Sequence, residues 1–361
     1  MNNQCILKKI LIAPLDWGLG HATRCIPLIS YFLSLNCEVT IAASPASKAL
    51  LQKEFPALQF LNLNSYNIVY SRKKRWMPFK ILLQTPKILR AVNEEHEWLK
   101  NLLTTLHFDA IISDNRYGFF SEKVFSVFIT HQLQVKTSLN LARNFVRKQT
   151  YKRINKFNEC WVPDFEGNLN IAGGLSHPKK LPKIPMKYIG MLSRFKPKAH
   201  ANNVYKYLII ISGPEPQRTI FEEKVFAFAK SSKEKILIVR GKPEEKNSIK
   251  ENFNCTIYNH LTTEELEDVF NVSEFIISRC GYTSVMEILS LQKKSILIPT
   301  PGQTEQEYLA KHLMKQYWCY TFSQTEDFNS HFLKAHQFKY NLPGINTRHY
   351  ETILKDFVSA L

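Results

Sequence analysis

The sequence contains no uninterrupted apolar run of about eighteen residues, the length that a membrane-spanning helix needs. The apolar run at 10–15 is interrupted by Pro14, and no small-residue cleavage site follows it, so it predicts a first strand and not a signal peptide. The seven cysteines are odd in number, scattered and without CxxC spacing. Reduced thiols in a cytoplasmic protein are therefore expected, and a zinc site is not.

Acidic residues are also scarce. The 361-residue chain has 31 Asp and Glu against 48 Lys and Arg, which gives a formal net charge of +17. This excess predicts attraction to polyanions, namely nucleic acid, anionic lipid or a phosphate-bearing substrate. Nucleic acid is the disfavoured partner of the three, because the sequence contains no RRM, KH or helix-turn-helix signature. The 44% hydrophobic and 22% charged content is that of a globular protein, and the length fits two domains.

Apolar strand patterns alternate with helical patterns along the chain, without a repeat of solenoid period. The predicted strands are 6–14, 38–43, 59–63, 110–113, 124–129, 207–211, 236–239, 255–258, 275–278 and 295–298. Between 164 and 201 the composition changes to Gly, Pro and Lys, which is typical of a linker, and we place a domain boundary near residue 195. The alternation on both sides predicts an α/β protein of two doubly wound domains that face each other across a cleft.

The stretch 278–306 reads strand, Gly turn, helix, strand, Pro/Gly turn and helix. Two such βα corners place helix N-termini at the carboxyl ends of strands, where unpaired N–H groups favour a phosphate. The first corner carries Thr283 and Glu287 on one helix face, and the second carries Gln303 and Gln306. A carboxylate can bond the vicinal hydroxyls of a ribose, and amides can bond sugar hydroxyls. The stretch therefore predicts a nucleotide-sugar pocket, although each corner alone is typical of an ordinary βα connection.

A second glycine turn, Gly18-Leu19-Gly20-His21, lies between the first predicted strand and a helix. It lacks the third glycine of a dinucleotide fingerprint, and the next strand has no acidic residue at its end, so we reject an NAD site. A histidine at the mouth of a βα loop suits a general base because its pKa lies near neutrality. We favour this role for His21 over the alternative that it only caps its helix.

Two more polar clusters follow predicted strands of the first half and should share the crevice with His21. One is Asp114-Asn115-Arg116, where the carboxylate can orient the histidine, bond an acceptor hydroxyl or simply cap the next turn. The other contains His131, for which a hydrogen-bonded core position is the slightly better interpretation. We retain His131 as a candidate site residue of this crevice.

Residues 66–90 contain seven Lys or Arg and no Asp or Glu. In the core of this segment Arg72, Lys73, Lys74 and Arg75 stand beside Trp76 and further apolar residues. This composition is typical of a segment that meets anionic headgroups with its cations and the acyl boundary with its aromatics. A solvated loop that leads into a core helix is an equally good interpretation. The helix predicted over 139–157 is basic as well.

These motifs make the sequence resemble the GT-B glycosyltransferases, and family 28 in particular, which includes the enzyme that adds N-acetylglucosamine to the lipid-linked peptidoglycan precursor. The resemblance covers nearly the whole chain in layout. At motif level it rests on the N-terminal glycine turn with His21 and on a C-terminal set, which is Gly281, Tyr282, Thr283, Ser284, Glu287, Pro299, Pro301, Gln303 and Gln306.

The resemblance implies an acceptor domain over 1–195, a donor domain over 196–345 and a last helix over 346–361 that returns to the first domain. It implies a donor site in which Glu287 meets the ribose, Thr283 and Ser284 lie near the diphosphate, and Gln303 and Gln306 meet the sugar. Gly213, Arg279 and Gly281 are further candidate donor-binding residues. It implies acceptor loops that contain Gly18, Gly20, Asn115, Arg116 and His131, with His21 and Asp114 as the catalytic pair.

One departure from the family concerns the phosphate cradle, which here reads Ser212-Gly213-Pro214-Glu215-Pro216. Because proline has no N–H to offer, Arg218 is expected to substitute as a guanidinium donor to the diphosphate. No metal and no cofactor are expected, since the sequence has no DxD motif and helix N-termini can carry the diphosphate charge.

The predicted function is transfer of a sugar from a nucleotide diphosphate sugar, UDP-sugar in the first instance, to an acceptor hydroxyl, with inversion favoured by the resemblance. The basic segment favours a lipid-linked acceptor and a peripheral position at the inner face of the membrane, in a cell-envelope pathway. Two alternatives stay open. They are a nucleotide-sugar hydrolase of the same fold and a non-catalytic polyanion-binding protein.

Overall fold

The computed structural model describes residues 7–66, 77–134, 140–198, 202–242, 250–252 and 254–361. The basic cluster of Arg72, Lys73, Lys74, Arg75 and Trp76 lies outside these described residues. The chain divides into two compact units, one that ends at Leu192 and is completed by Asn346–Leu361, and one that contains Ser193–Ile345. Within the described ranges no helix is both long enough and apolar enough to span a bilayer.

The first unit is built on a sheet whose described strands all pair in parallel. The strands are β1 (Lys9–Pro14), β2 (Glu38–Ala43), β3 (Gln59–Asn62), β4 (Ala110–Asp114), β5 (Phe125–Ile129), β6 (Glu159–Val162) and β7 (Met186–Tyr188). The helices are α1 (Leu19–Ser34), α2 (Pro45–Glu54), α3 (Met77–Leu102), α4 (Asn140–Ile154) and, from the end of the chain, α10 (His349–Ala360). The strand order is β3-β2-β1-β4-β5-β6-β7, so the direction of winding reverses between β1 and β4.

The central strands are continuous apolar runs because both faces of the sheet are covered. In β1 Ile10, Leu11, Ile12 and Ala13 are all fully buried, although successive side chains of a strand point to opposite faces. The last helix, α10, belongs to the same unit. Its Phe357 ring lies 4.9 Å from the Trp161 ring of β6, so the C-terminal residues help to form the core of the N-terminal half.

The second unit repeats this architecture. Its strands are β8 (Tyr205–Ile210), β9 (Ile236–Val239), β10 (Lys250–Asn252), β11 (Cys255–Tyr258), β12 (Ser273–Ser278), β13 (Lys294–Leu297) and β14 (Tyr320–Thr321), and its helices are α5 (Gln217–Ser231), α6 (Thr263–Asn271), α7 (Tyr282–Ser290), α8 (Thr304–Lys315) and α9 (Phe328–Gln337). The order is β10-β11-β9-β8-β12-β13-β14, with β10 antiparallel to β11 and the other pairs parallel. The winding reverses here between β8 and β12.

The predicted linker over 164–201 is largely folded. It contains β7 and two turns of 3-10 helix, Gly167–Leu169 and Gly173–Leu175, and it belongs to the first unit as far as Leu192. The fully buried carboxylate of Asp164 organises this loop by accepting hydrogen bonds from the backbone N–H groups of Ile171 and Ala172 and from the Ser176 hydroxyl. When backbone and hydroxyl donors converge on one buried acceptor, they can order a Gly- and Pro-rich segment even where it forms little helix or strand.

Candidate functional site

The first cluster of predicted site residues lies at the carboxyl ends of β1 and β4, where the winding of the first unit reverses. Such switch points are where open α/β sheets bind ligands. Gly18 ends the turn after β1 with a φ of 100°, in a region that favours glycine, and α1 begins at the next residue. His21 therefore stands in the first turn of α1. Asp114 is the last residue of β4 and pairs in register with Pro14 of β1.

His21 and Asp114 are in direct contact. The imidazole Nδ1 lies 3.0 Å from Asp114 Oδ2, and the Asp114 side chain is fully buried. A third residue, Arg24, completes the cluster from one turn further along α1. Its Nε donates to Asp114 Oδ2 at 2.8 Å, its Nη2 also bonds to Asp114 Oδ1, and the same Nη2 lies 2.9 Å from His21 Nδ1. The structure thus forms a buried His–Asp–Arg triad.

The charges of this triad set its protonation. Burial alone would raise the pKa of Asp114, but the adjacent Arg24 and His21 outweigh it and lower that pKa to about 2. Burial, helped by the positive charge of Arg24, lowers the pKa of His21 below its usual value, and the nearby carboxylate opposes this only in part. At neutral pH the triad therefore contains a carboxylate, a guanidinium and a neutral imidazole.

The residues predicted for the acceptor loops have different surroundings. Gly18 and Gly20 flank the start of α1, and His131 is buried with its Nδ1 3.1 Å from Arg24 Nη1, so it adjoins the triad. Asn115 adopts a φ of 62° directly after β4 and bonds the β5 carbonyl of Ile129 through its backbone N–H.

Arg116 occupies a structural position instead of facing an acceptor. The side chain is fully buried, its Nε donates to the Pro14 carbonyl at 2.8 Å, and its Nη1 pairs with Glu95 of α3. A buried carboxylate needs such a partner, because an unpaired buried charge is costly. Nε and Nη1 of the guanidinium are thus engaged by the protein itself, whereas Nη2 has no hydrogen-bond partner among the described residues and lies 3.9 Å from Asp16 Oδ1.

The second cluster lies at the carboxyl ends of β8 and β12, the switch point of the second unit. The turn after β8 contains Gly213 with a φ of 113°, and β12 leads into Arg279 and Gly281, the residue that precedes α7. Among the described residues two buried polar atoms near this turn have no hydrogen-bond partner, Arg279 Nε and Thr300 Oγ1. A Cβ placed on Gly213 would lie 3.9 Å from the first and 3.8 Å from the second, so both atoms face Gly213.

Arg279 is fixed by several contacts. Its Nη2 donates to the Gln217 carbonyl at 2.8 Å and to Gln324, and its guanidinium lies 4.2 Å from the Phe221 ring. Burial lowers its pKa to about 10, which still leaves the guanidinium charged at neutral pH. The cluster therefore holds one positive charge with a free Nε–H beside a glycine turn, which is an arrangement suited to an anionic oxygen.

The structure does not support the expectation that Arg218 faces this anion site. Arg218 is buried, its Nη2 donates to the Arg240 carbonyl at 2.5 Å, and its Nη1 lies 3.5 Å from Glu215. Glu222, one turn further along α5, also forms an ion pair with Arg218, with 3.5 Å between Glu222 Oε1 and Arg218 Nη2. The guanidinium therefore links the start of α5 to the residue that follows β9.

The remaining residues predicted for the donor stand on α7 and at the start of α8. Thr283 and Ser284 stand in the first turn of α7, where an added Cβ on the preceding Gly281 would meet no atom within 4 Å. Glu287 lies one turn further and accepts a hydrogen bond from Arg194 Nε at 2.8 Å. The next corner carries the two predicted amides.

Gln303 and Gln306 bond to each other across the first turn of α8, and Gln306 also accepts from the backbone N–H of Thr300 at 2.9 Å. The amide pair is therefore built into the same corner that contains the unpartnered Thr300 hydroxyl. Within the described part of the chain no group of three His, Cys, Asp or Glu is arranged to hold a metal ion. The independence from metals and cofactors stays a prediction.

The sequence analysis does not identify three residues of these clusters, which are Arg24, Arg194 and Thr300. Arg24 carries a detectable signal, because a residue three positions after His21 shares its helix face. Arg194 and Thr300 carry none, since Arg194 stands in a segment that reads as linker and Thr300 between two prolines in a turn.

Comparison with known proteins finds a family domain in the second half of the chain and a fold that covers nearly all of it. Residues 215–335 match the model of the glycosyltransferase family 28 C-terminal domain. A curated relative, the UDP-N-acetylglucosamine--N-acetylmuramyl-(pentapeptide) pyrophosphoryl-undecaprenol N-acetylglucosamine transferase of Sulfurihydrogenibium sp. (strain YO3AOP1), is 27% identical over 126 residues, which are 34% of this chain and 35% of the relative. The match thus spans about a third of the relative's length.

Solved structures of low identity share the fold over nearly the whole chain. Acinetobacter baumannii MurG is similar with a TM-score of 0.56 at 14% identity, over 98% of this chain and 100% of that one. Arabidopsis thaliana UGT89C1, solved in complex with UDP-L-rhamnose, is similar with a TM-score of 0.63 at 12% identity, over 98% and 94%. The predicted α/β GT-B fold and the resemblance to family 28 are confirmed, and both support a transferase. The roles of individual site residues stay predictions.

Proposed function

Because residues 215–335 carry the C-terminal domain of glycosyltransferase family 28 and the chain has a GT-B fold, we propose that the protein moves a sugar from a nucleotide diphosphate sugar to an acceptor hydroxyl. The observation that carries the proposal is the second cluster. There a charged buried arginine with an unpartnered Nε–H, a glycine turn and the start of α7 converge, one helical turn from the Glu287 carboxylate.

In this proposal the second unit binds the donor. Arg279 Nε, the Thr300 hydroxyl and the N-terminus of α7 meet the diphosphate, and Glu287 accepts hydrogen bonds from the ribose hydroxyls. The amides of Gln303 and Gln306 meet the donor sugar. UDP is the nucleotide we propose, since the curated relative and the Arabidopsis thaliana structure both have a UDP-sugar in their names.

The first unit supplies the base. A neutral imidazole whose Nδ1–H donates to the Asp114 carboxylate presents its Nε2 lone pair, which can take the proton of an acceptor hydroxyl. The acceptor oxygen then forms a bond to the anomeric carbon while the bond to the diphosphate oxygen breaks, and the departing diphosphate keeps the electron pair. A single displacement of this kind inverts the anomeric centre. Asp114 keeps the imidazole oriented, whereas burial and the Arg24 charge keep it neutral before the step.

We further propose that the acceptor is lipid-linked and is met at an anionic membrane surface. Helix α4 supports this, because its sequence carries five basic residues and no acidic one, namely Arg143, Arg147, Lys148, Lys152 and Arg153. On the same helix Phe145 and Val146 are 65% and 37% exposed. An apolar tip amid cations is the composition by which helices dock on anionic headgroups.

Nucleotide binding tests the donor site. A UDP-sugar at a hundred times its Kd should stabilise the protein by about 2.7 kcal/mol and raise its melting temperature. Glu287→Gln should weaken this binding about tenfold, because each hydrogen bond to a charged group contributes about 1.5–3 kcal/mol. The matched control is Glu274→Gln, which removes a carboxylate of the same unit that pairs with Lys206 at 2.9 Å.

Three outcomes decide the proposal. The donor site is contradicted if Glu287→Gln and Glu274→Gln lose equal affinity for the UDP-sugar, or if no UDP-sugar stabilises the protein. Release of UDP that does not depend on any added acceptor identifies the hydrolase instead of the transferase. Transfer of labelled sugar to a polyprenyl-linked acceptor, lost in Glu287→Gln but not in Glu274→Gln, supports the function as proposed.

A further inference from the structure

The segment at the start of the second unit lies directly on the helix that carries Glu287. Arg194 is the central residue of this segment. Its Nε donates to Glu287 Oε1 at 2.8 Å, and its Nη1 donates to Thr263 Oγ1 at 2.9 Å. The flanking Ser193 hydroxyl accepts a hydrogen bond from Ser290 of α7 at 2.8 Å. The segment is therefore tied to α7 at two points one helical turn apart.

The Arg194 side chain is fixed from several sides. It is mostly buried, and its guanidinium lies 4.9 Å from the Phe195 ring, which in turn packs against Phe270 of α6 at 4.9 Å. Thr263, the acceptor of its second hydrogen bond, is the first residue of α6, a helix whose start is set by a capping box between Thr262 and Glu265. The Arg194 side chain is thus held by contacts with both α6 and α7.

The pair leaves half of the carboxylate open. Oε1 of Glu287 is taken by Arg194, whereas Oε2 has no hydrogen-bond partner among the described residues. A buried ion pair is weak support for stability, because desolvation of both groups offsets most of their attraction. An arginine that orients a carboxylate but leaves one oxygen available has the geometry of a positioning contact.

We propose that Arg194 is the positioning residue for the donor ribose and that it determines selectivity for a ribonucleotide. This inference rests on the proposed function, since it assigns a partner to the Glu287 that meets the ribose. Held by Arg194 through Oε1, the carboxylate keeps a single orientation in which Oε2 accepts the ribose 2′-hydroxyl. Without Arg194 the Glu287 side chain can adopt several rotamers. Binding of the ribose hydroxyl must then restrict Glu287 to one of them, and this loss of conformational entropy weakens the bond's contribution to affinity.

The test compares the binding of UDP with that of 2′-deoxy-UDP by titration calorimetry on the full chain. Wild-type protein should prefer UDP about tenfold or more, because one hydrogen bond to a charged group is lost with the 2′-hydroxyl. Arg194→Gln should reduce that preference to about twofold or less while the affinity for 2′-deoxy-UDP changes little. Arg194→Lys should restore part of the preference, since it supplies one N–H donor without the second contact to Thr263.

Two further variants make the comparison specific. Lys198→Gln removes a charge of the same segment, whose ion pairs with Glu267 and Asp268 do not involve Glu287, and it should leave the preference unchanged. Thr263→Val removes the hydroxyl that accepts the second hydrogen bond of Arg194 and keeps the Glu287 contact, so it should give an intermediate preference and decides the matter if Arg194→Gln does not fold. Melting temperatures of all variants establish that each is native.

The outcomes separate this inference from the function on which it rests. If Glu287→Gln abolishes the preference for UDP but natively folded Arg194→Gln and Thr263→Val keep it, Arg194 has no positioning role and the donor site stands. If wild-type protein binds neither nucleotide, both the inference and the donor site are wrong. A preference that falls in Arg194→Gln and Thr263→Val, but not in Lys198→Gln, supports the inference.

Discussion

At the scale of the residue, the His–Asp–Arg triad poses one electrostatic question, which is how an imidazole stays neutral beside a carboxylate. Asp114 alone would stabilise the imidazolium and raise the pKa of His21. Burial and the Arg24 guanidinium act in the opposite direction and prevail. The arginine therefore has two functions, because it also neutralises a carboxylate that is fully buried.

The pH dependence of activity reports this balance. The base form of His21 is neutral, so kcat/KM should fall on the acid side as the imidazole is protonated, with an apparent pKa below 6.5, its ordinary value. Arg24→Gln removes the positive charge that disfavours the imidazolium, so it should raise that apparent pKa and move the acid limb to higher pH. His21→Ala should lower kcat/KM roughly a hundredfold or more at pH values above the acid limb, where the wild-type imidazole is neutral, and the difference should shrink at lower pH.

Lys123→Gln serves as the control, since it removes an exposed positive charge of the same unit outside the triad. It should leave the acid limb in place. An acid limb that stays at the same pH in natively folded Arg24→Gln contradicts the electrostatic role, and full activity of His21→Ala contradicts the base.

The sequence predicts the contact of His21 with Asp114 for a definite reason. Both follow apolar strands, and the carboxyl ends of parallel strands meet at one edge of a sheet. Arg116 and Arg218 show the limit of this reasoning. The same placement leads one to expect that both face a ligand, yet each neutralises a buried glutamate, because partners separated by many residues in sequence decide where a long side chain goes.

At the scale of the element, short apolar strands are the part of the fold that sequence predicts best. The bounds of β2, β9 and β11 agree with the predicted ranges, since each is a short run of β-branched and other apolar residues. The strands β6, β7, β10 and β14 are not predicted. They have two to four residues, and their pairing with a longer neighbour, not their own pattern, makes them strands.

Helix α4 allows a test of the proposed membrane contact at this scale. The double variant Phe145→Ser with Val146→Ser should reduce flotation with vesicles that contain anionic phospholipid, because it removes the exposed apolar side chains that would enter the acyl boundary. Added salt should weaken binding of the unchanged protein, since each cation near the surface contributes about 1 kcal/mol that salt screens.

Leu333→Ser is the matched control. Leu333 is 68% exposed on α9 in the second unit, so its replacement removes a comparable apolar side chain from a helix outside the proposed surface. Equal loss of flotation in both variants, or binding to neutral vesicles that equals binding to anionic ones, contradicts a docking role for α4.

At the scale of the whole molecule, the chain forms two α/β units of similar topology, and its last residues, Asn346–Leu361, belong to the first unit. Each sheet reverses its winding at its centre, and in each unit the candidate residues stand at that reversal. The resemblance implies the returning helix, whereas composition alone does not. A helix of twelve residues with an apolar face fits many surfaces, and contacts in the structure, such as those of the Phe357 and Tyr350 rings, identify the partner.

The return of α10 to the first unit predicts how the molecule unfolds. Phe357 is buried against Trp161 and Phe125, so Phe357→Ala should destabilise the first unit by about 3 kcal/mol, as is usual for a large-to-small change at a buried site. Because the second unit has its own aromatic core, its thermal transition and the stabilisation that UDP gives it should persist. Lys355→Ala, an exposed position of the same helix, should change neither transition. If Phe357→Ala lowers the UDP-sensitive transition and leaves the other unchanged, α10 stabilises the donor unit and the assignment of the helix to the first unit is wrong.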